Sequence, residues 1–307
     1  MRPPLSPPPL KKGDCIGIFA PAGQLQDAAR FMRGVRVLEE MGFRVKYPPE
    51  LWPGPDYLAD SDDNRGEEFN RLVQDREVKG IIAMRGGYGC LRMLDTIDIA
   101  LMVDNPKALV GFSDITILQN YLYAQVGLVS LHGPVVTSLG EATDDARACL
   151  SYCLTNTKAC SIGPSHIEVL RDGPKACAPL IGGNLASLVS LLGTRYDFSW
   201  DNKIVFLEDI NEPAYKIDRM FTQLKLAGKL DEVAGLILGD FSGSIGTGGN
   251  DALHYRQSIW DRILQLCSDR ALPIWGNFPS GHYPGSLTFP LGASAVMESS
   301  CPRLLFL

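Results

Sequence analysis

The chain is short of the features that most directly announce a function. Only four of its 307 residues are histidine: His132, His166, His254 and His282. Its eight cysteines form no C-x-x-C pair. Cys149 and Cys153 lie four apart on one face of an expected helix, but no second pair or histidine follows at zinc-finger spacing. The thiols therefore read as reduced and mostly buried. Lys and Arg number 29 against 35 Asp and Glu, a net charge of -6 with no basic block. Phosphate binding wants a basic face, so nucleic acid is not an expected partner. The phosphate-cradling G-x-x-x-x-G-K-[ST] and the dinucleotide G-x-G-x-x-G are both missing. No apolar run approaches a membrane span, and "MRPPLSPPPLKKGD" at the N-terminus has no apolar secretory region. The expectation is a cytoplasmic protein with no membrane partner.

What is there is an alternation. The chain is 45% hydrophobic and 21% charged, ordinary for a globular protein and long enough for two domains. "DCIGIFAPAG", "FRVKY", "VKGIIAMRGGYG", "KALVGF" and "LVSLHGPVV" read as five strands, with periodic helical stretches between them up to about residue 150. That pattern predicts a parallel sheet covered on both faces, with a site past the carboxyl ends of its strands. Residues 155–179 are polar and turn-rich and read as a linker. Beyond them, "PLIGGNLASLVSLLG" reads as a glycine-led helix, "KIVFLED" and "VAGLILGDF" as buried strands, "EPAYKIDRMFTQLKLAG" and "YRQSIWDRILQLCSDR" as amphipathic helices, and "GSIGTGGND" as a loop.

Chemistry concentrates in a few places. In "ALVGFSDITIL" (108–118) a strand meets a helix at Ser113. Such a turn can lift a serine hydroxyl above a sheet, as at a nucleophile elbow. Ser and Asp are also preferred helix caps, and the second glycine of G-x-S-x-G is absent, so on this stretch alone the cap is the stronger reading. A serine nucleophile needs a base. His166 and His254 read as solvated, and His132 as equally a core residue. His282, in "PSGHYPGS", sits in a tight loop, where function concentrates. Glu208, at the mouth of the apolar strand "KIVFLED", is costly to bury without a partner, whereas Asp209 can cap the next segment. The glycine turn "MRGGYG" (84–89) offers backbone N–H groups for an oxyanion. Cys90, just after it, reads as packing.

In order, "RGGYG", "GFSDIT", "GGNLASL", "FLEDINEPAYKIDRM" and "GHYP" make the chain resemble the LD-carboxypeptidase family of serine peptidases, from "GIFAPAG" almost to the C-terminus. It is most similar to the murein tetrapeptide carboxypeptidase branch; the microcin-immunity branch usually carries a longer chain and a different segment after the paired glycines. The resemblance implies a triad of Ser113 as nucleophile, His282 as base and acid, and Glu208 orienting His282. The oxyanion donors it implies are the N–H groups of Asp114 and Gly87, with Asp114 also capping the helix. Arg85, Gly86, Tyr88, Asn184 and Glu212 are the expected substrate contacts. Arg85 would take the substrate's free carboxylate in a bidentate contact, or else brace the loop, and Glu212 would welcome amino groups.

The activity implied is cleavage of the amide between the L-centre of a diamino acid and a terminal D-alanine, in cytoplasmic recycling of peptidoglycan, by a homodimer without metal or cofactor. The fold implied is α/β. An N-terminal parallel-sheet domain over 1–160 and a C-terminal β-rich α/β domain over 179–307 are joined by a linker over 161–178, with the active site between them. Two other readings stay open. One is a hydrolase of aminoacyl-nucleotide or microcin-type peptide conjugates, which an aromatic shelf from Trp260 or Trp275 would favour. The other is a non-catalytic peptide-binding module.

Overall fold

The structure, a computed structural model, describes residues 4–54, 56–156, 161–163, 167–242 and 250–307. His166 and residues 243–249 of the loop expected over 243–251 lie outside them, and Asn250 and Asp251 begin a helix instead. The chain divides into two compact units: Met1–Lys158 with Pro284–Gly292, and Ala159–Tyr283 with Ala293–Leu307.

Unit 1 runs β1 (Cys15–Phe19), α1 (Ala28–Glu40), β2 (Arg44–Lys46), α2 (Asp62–Gln74), β3 (Val78–Ala83), α3 (Cys90–Met93), α4 (Ile99–Asp104), β4 (Ala108–Gly111), α5 (Ile115–Val126), β5 (Ser130–His132), α6 (Val136–Leu139) and α7 (Asp144–Thr155). It also takes β12 (Phe289–Leu291), numbered by its place in the whole chain. The sheet order is β12-β5-β4-β3-β1-β2, parallel except for β12, which runs antiparallel to β5. Every residue of β1 and β4 is buried, as expected for strands covered on both faces. From β1 the chain steps to β2 on one side, then returns to β3, β4 and β5 on the other. This reversal opens a crevice at the carboxyl ends of the strands.

The helices follow their sequence signals. Asp27 caps α1 by accepting the Arg30 N–H at 2.9 Å, and Phe31, Gly34, Val35 and Leu38 form its buried stripe. Gly34 is required by packing. A Cβ there would stand 1.9 Å from the Val136 carbonyl oxygen, where α6 crosses α1.

Unit 2 contains β6 (Ser161–Ile162), β7 (Glu168–Arg171), β8 (Ala176–Asn184), α8 (Leu185–Val189), β9 (Ile204–Ile210), α9 (Ala214–Leu226), β10 (Gly235–Ser242), α10 (Asn250–Leu266), β11 (Ile274–Gly276), β13 (Ser294–Glu298) and β14 (Arg303–Phe306). Its sheet order is β6-β14-β13-β8-β9-β10-β11-β7. The middle strands β8 to β11 are parallel, and the flanking pairs are antiparallel. No described helix is long and apolar enough to cross a membrane.

Two expectations are corrected. The stretch 161–178 is not a linker, since β6, β7 and the first residues of β8 occupy it. "PLIGGNLASLVSLLG" is not one helix. Its first six residues end β8, and the helix is the short α8. Gly182 and Gly183 have φ of 122° and 132°, and a Cβ on Gly182 would meet the Phe206 carbonyl oxygen at 1.9 Å. The glycines serve close strand approach rather than a helix start.

The Gly34 crossing generates a test of packing. Gly34→Ala forces backbone against backbone, which no rotamer change relieves, so an overpacking loss of about 1–3 kcal/mol is expected. Urea unfolding checks it, with a lower midpoint at an unchanged slope as the expected outcome.

Candidate active site

Unit 1 supplies a raised serine. The chain leaves β4 through Phe112, and Ser113 takes the left-handed conformation at φ 63° before α5 begins. Few non-glycine residues hold that geometry, and such outliers cluster where function needs them. Ser113 is half-buried. Gly86, in the loop after β3, lies directly against it: a Cβ on Gly86 would stand 3.0 Å from Ser113 Cβ and 3.1 Å from Oγ. Among the described residues, neither the Asp114 nor the Gly87 N–H donates to a protein acceptor. Both are therefore available to a developing oxyanion.

Asp114 departs from expectation. It occupies the N-cap position, but its side chain makes no capping bond. Its carboxylate instead accepts the Cys90 N–H at 2.8 Å and so ties the end of the glycine loop to the serine turn. Burial raises the Asp114 pKa, opposed by the hydrogen bonds from Cys90 and by the charge of Arg65. Arg65, on α2, is 1% exposed. Its guanidinium donates to the Gly89 carbonyl at 3.0 Å, to the Pro21 carbonyl and to the Asp60 carbonyl, and pairs with Asp62. It therefore holds the glycine loop from the other side. A buried arginine is not visible in a single sequence, because only the fold shows which helical charges face inward.

Arg85 braces the same loop. Its Nε donates to the Gly86 carbonyl at 3.2 Å and one terminal nitrogen to the Gln24 carbonyl at 2.9 Å. The second terminal nitrogen has no acceptor among the described residues. Burial pulls the Arg85 pKa down, and no carboxylate pairs with it among the described residues. Tyr88 stands between Gly87 and Gly89, at φ 121° and 136°, with its ring 5.9 Å from that of Tyr57. Both tyrosines are more than half exposed. Cys90 is fully buried, and burial followed by the charge of Asp114 raises its thiol pKa well above the usual range. It is no rival nucleophile.

Unit 2 supplies an oriented histidine. Glu208, near the end of β9, has no exposed surface, and its Oε2 lies 2.8 Å from His282 Nδ1. His282 sits in the loop after β11. The Phe278 N–H donates to the Leu238 carbonyl at 3.0 Å and the Asp240 N–H to the Ser280 carbonyl at 2.9 Å, so the loop is laid along β10. Because an ionised carboxylate only accepts, this bond places the Nδ1 hydrogen toward Glu208 and leaves Nε2 as the basic nitrogen. Burial is the largest single influence on the His282 pKa and lowers it. The Glu208 hydrogen bond and charge, helped by Asp209 and Asp240, outweigh burial and raise the pKa above the ordinary value.

The neighbouring groups have partners within the unit. Asp209 accepts from the Asn184 side chain at 3.2 Å and from the Ala186 N–H at 2.9 Å, so it anchors the start of α8. Burial, then the Glu208 charge, pushes the Asp209 pKa up to about 6. Asn184 pairs in register with Glu208 and caps α8 through Ser187. The Glu212 carboxylate lies 3.2 Å from Lys216, which neutralises much of its appeal to a substrate amine. His132 is buried and stacked on Phe289 at 4.9 Å, and His254 is exposed on α10. Trp260 and Trp275 are both core residues, so neither offers a shelf.

Comparison with known proteins identifies the family. The model of the LD-carboxypeptidase N-terminal domain matches residues 16–133, and that of the LD-carboxypeptidase C-terminal domain matches 178–297. A Bacillus subtilis protein named "probable murein peptide carboxypeptidase" is 34% identical over 298 residues, 96% of this chain and 92% of its own. The crystal structure of an MccF-like protein from Bacillus anthracis superposes with a TM-score of 0.89 at 25% identity, over 99% of both chains. That of a muramoyltetrapeptide carboxypeptidase from Oxalobacter formigenes gives 0.79 at 28% identity, covering 95% of this chain and 97% of that one.

The His282–Glu208 pair has a measurable signature. A histidine whose folded pKa lies above the unfolded value near 6.5 stabilises the fold fully below that value, and the contribution is lost as pH rises through the folded pKa. Proton NMR of the imidazole is expected to give a midpoint above 6.5 in the wild type. In Glu208→Gln the midpoint should drop, because burial then loses its main opponent. An unmoved midpoint would show that Glu208 does not set the charge of this ring.

Proposed function

Because the chain belongs to the LD-carboxypeptidase family of serine peptidases, we propose that it hydrolyses the L,D amide bond releasing the terminal D-alanine of a murein tetrapeptide. The observation that carries the reading is Ser113 held at φ 63° at the mouth of a parallel sheet, with Gly86, lacking a side chain, directly against its hydroxyl. A helix cap needs neither feature.

In this mechanism Ser113 Oγ attacks the amide carbonyl while His282 Nε2 accepts its proton. Glu208 keeps Nδ1 protonated and favours the imidazolium. The N–H groups of Asp114 and Gly87 receive the oxyanion, a donor of this kind being worth about 2.7–4 kcal/mol. The imidazolium then protonates the departing D-alanine nitrogen, and water repeats the cycle on the acyl-enzyme. The terminal nitrogen of Arg85 that takes no carbonyl is the donor we assign to the free D-alanine carboxylate. This makes the contact single rather than bidentate, since the loop holds the other edge of the guanidinium. The biological setting proposed is cytoplasmic recycling of peptidoglycan. Hydrolysis of aminoacyl-nucleotide conjugates gains no support from Trp260 or Trp275, both of which are spent in the core.

Release of D-alanine from the murein tetrapeptide, followed with a D-amino-acid oxidase, tests the proposal. Ser113→Ala is expected to lose about three orders of magnitude or more in kcat with its circular dichroism unchanged. Undiminished release by that variant overturns the nucleophile. A wild type that cleaves an aminoacyl-nucleotide conjugate but not the tetrapeptide overturns the substrate. Gly86→Ala is expected to lower kcat by about 10- to 100-fold with little change in melting temperature, because its Cβ displaces the serine or the oxyanion by a few tenths of an ångström.

A further inference from the structure

Helix α7 carries two thiols that the proposed peptidase chemistry does not use. Cys149 and Cys153 are one turn apart and half-buried, within reach of a small ion. Both sulfurs stand against one acceptor, the Thr288 carbonyl, at 3.2 Å and 3.5 Å.

The helix decides what such a pair can bind. Residues four apart place their Cβ atoms about 5–6 Å from each other. A direct disulfide wants about 3.5–4.5 Å, so closing one would require the last turn of α7 to unwind. A single soft ion between the sulfurs, with metal–sulfur bonds of about 2.3 Å as at zinc, spans up to about 4.6 Å and suits the intact helix. No group of three His, Cys, Asp or Glu side chains placed to hold an ion gathers among the described residues, so a tetrahedral zinc ion lacks its ligand set here. Thiolates alone select soft cations.

We propose that Cys149 and Cys153 form a two-sulfur site for a soft monovalent cation of the copper(I) or silver(I) class. Binding forms two metal–sulfur bonds and releases the two thiol protons to solvent, with no change in oxidation state. The S–H donors to the Thr288 carbonyl are lost as the ion enters, so occupancy loosens the hold of α7 on residues 284–292.

The test uses the full chain with Cys160, Cys177 and Cys301 changed to serine, since Cys177 and Cys301 are exposed and Cys160 lies outside the described residues. Anaerobic competition for copper(I) against bicinchoninate is expected to give one ion per chain. Affinity should fall by about 100-fold or more in Cys149→Ser and in Cys153→Ser, because each variant loses the chelating partner. Equal affinity in either variant overturns the site. A second measurement does not depend on those variants folding: one equivalent of silver(I) should shield two thiols from a disulfide reagent. Shielding of one thiol per ion overturns the bridge.

Discussion

A carboxylate with no exposed surface needs a partner, and Glu208 has His282. Burying an isolated carboxylate is costly enough that it would protonate instead. The 2.8 Å contact with Nδ1 supplies that partner, orients the imidazole and ties the loop over 277–283 to β9. Much of unit 2 serves this one contact. β9 and β10 run parallel beneath it, and Gly281, with φ 154°, has its Cα closely apposed to Asp240 so that the loop can lie flat on β10. Asp209, one residue on, points to the opposite face and is spent on α8, so the two adjacent acids do not compete for the imidazole.

Unit 1 solves a complementary problem, holding a strained serine without letting it relax. The left-handed Ser113 is clamped between a helix and a glycine loop, and the loop is held twice, by Asp114 through Cys90 and by Arg65 through Gly89. The Asp114 carboxylate thus works at a distance from its own N–H. One end of the residue fixes the loop while the other stays open to an oxyanion. Each unit thus holds its own polar constellation: unit 1 the strained serine beside its glycine loop, and unit 2 the oriented histidine.

Much of this was legible in the sequence. The strand–turn–helix at Ser113, the glycine turn, the loop around His282 and the acid ending an apolar strand are local patterns, and local patterns survive in one sequence. The misreadings also have physical causes. β6 and β7 are the short outermost strands of the unit 2 sheet, set among polar, turn-rich residues, so the stretch resembles a linker. β8 lies in the middle of that sheet with a run of buried apolar residues and glycines, where periodicity cannot separate strand from helix. Arg65 and the dithiol contact with Thr288 depend on partners 24 to 139 residues away, which no window reports.

The return of residues 284–292 to unit 1 governs how the protein can be made. β12 completes the edge of the first sheet against β5, and Pro284 takes the Thr143 N–H at the start of α7. Unit 1 therefore lacks a strand until residue 292 of 307 has left the ribosome, by which point nearly all of unit 2 has been synthesised. The usual order, in which an N-terminal domain finishes before the next begins, is closed to this chain. Unit 1 therefore cannot finish ahead of the body of unit 2, and a nascent chain interrupted between residues 159 and 283 presents an unfinished first sheet with β5 as its bare edge.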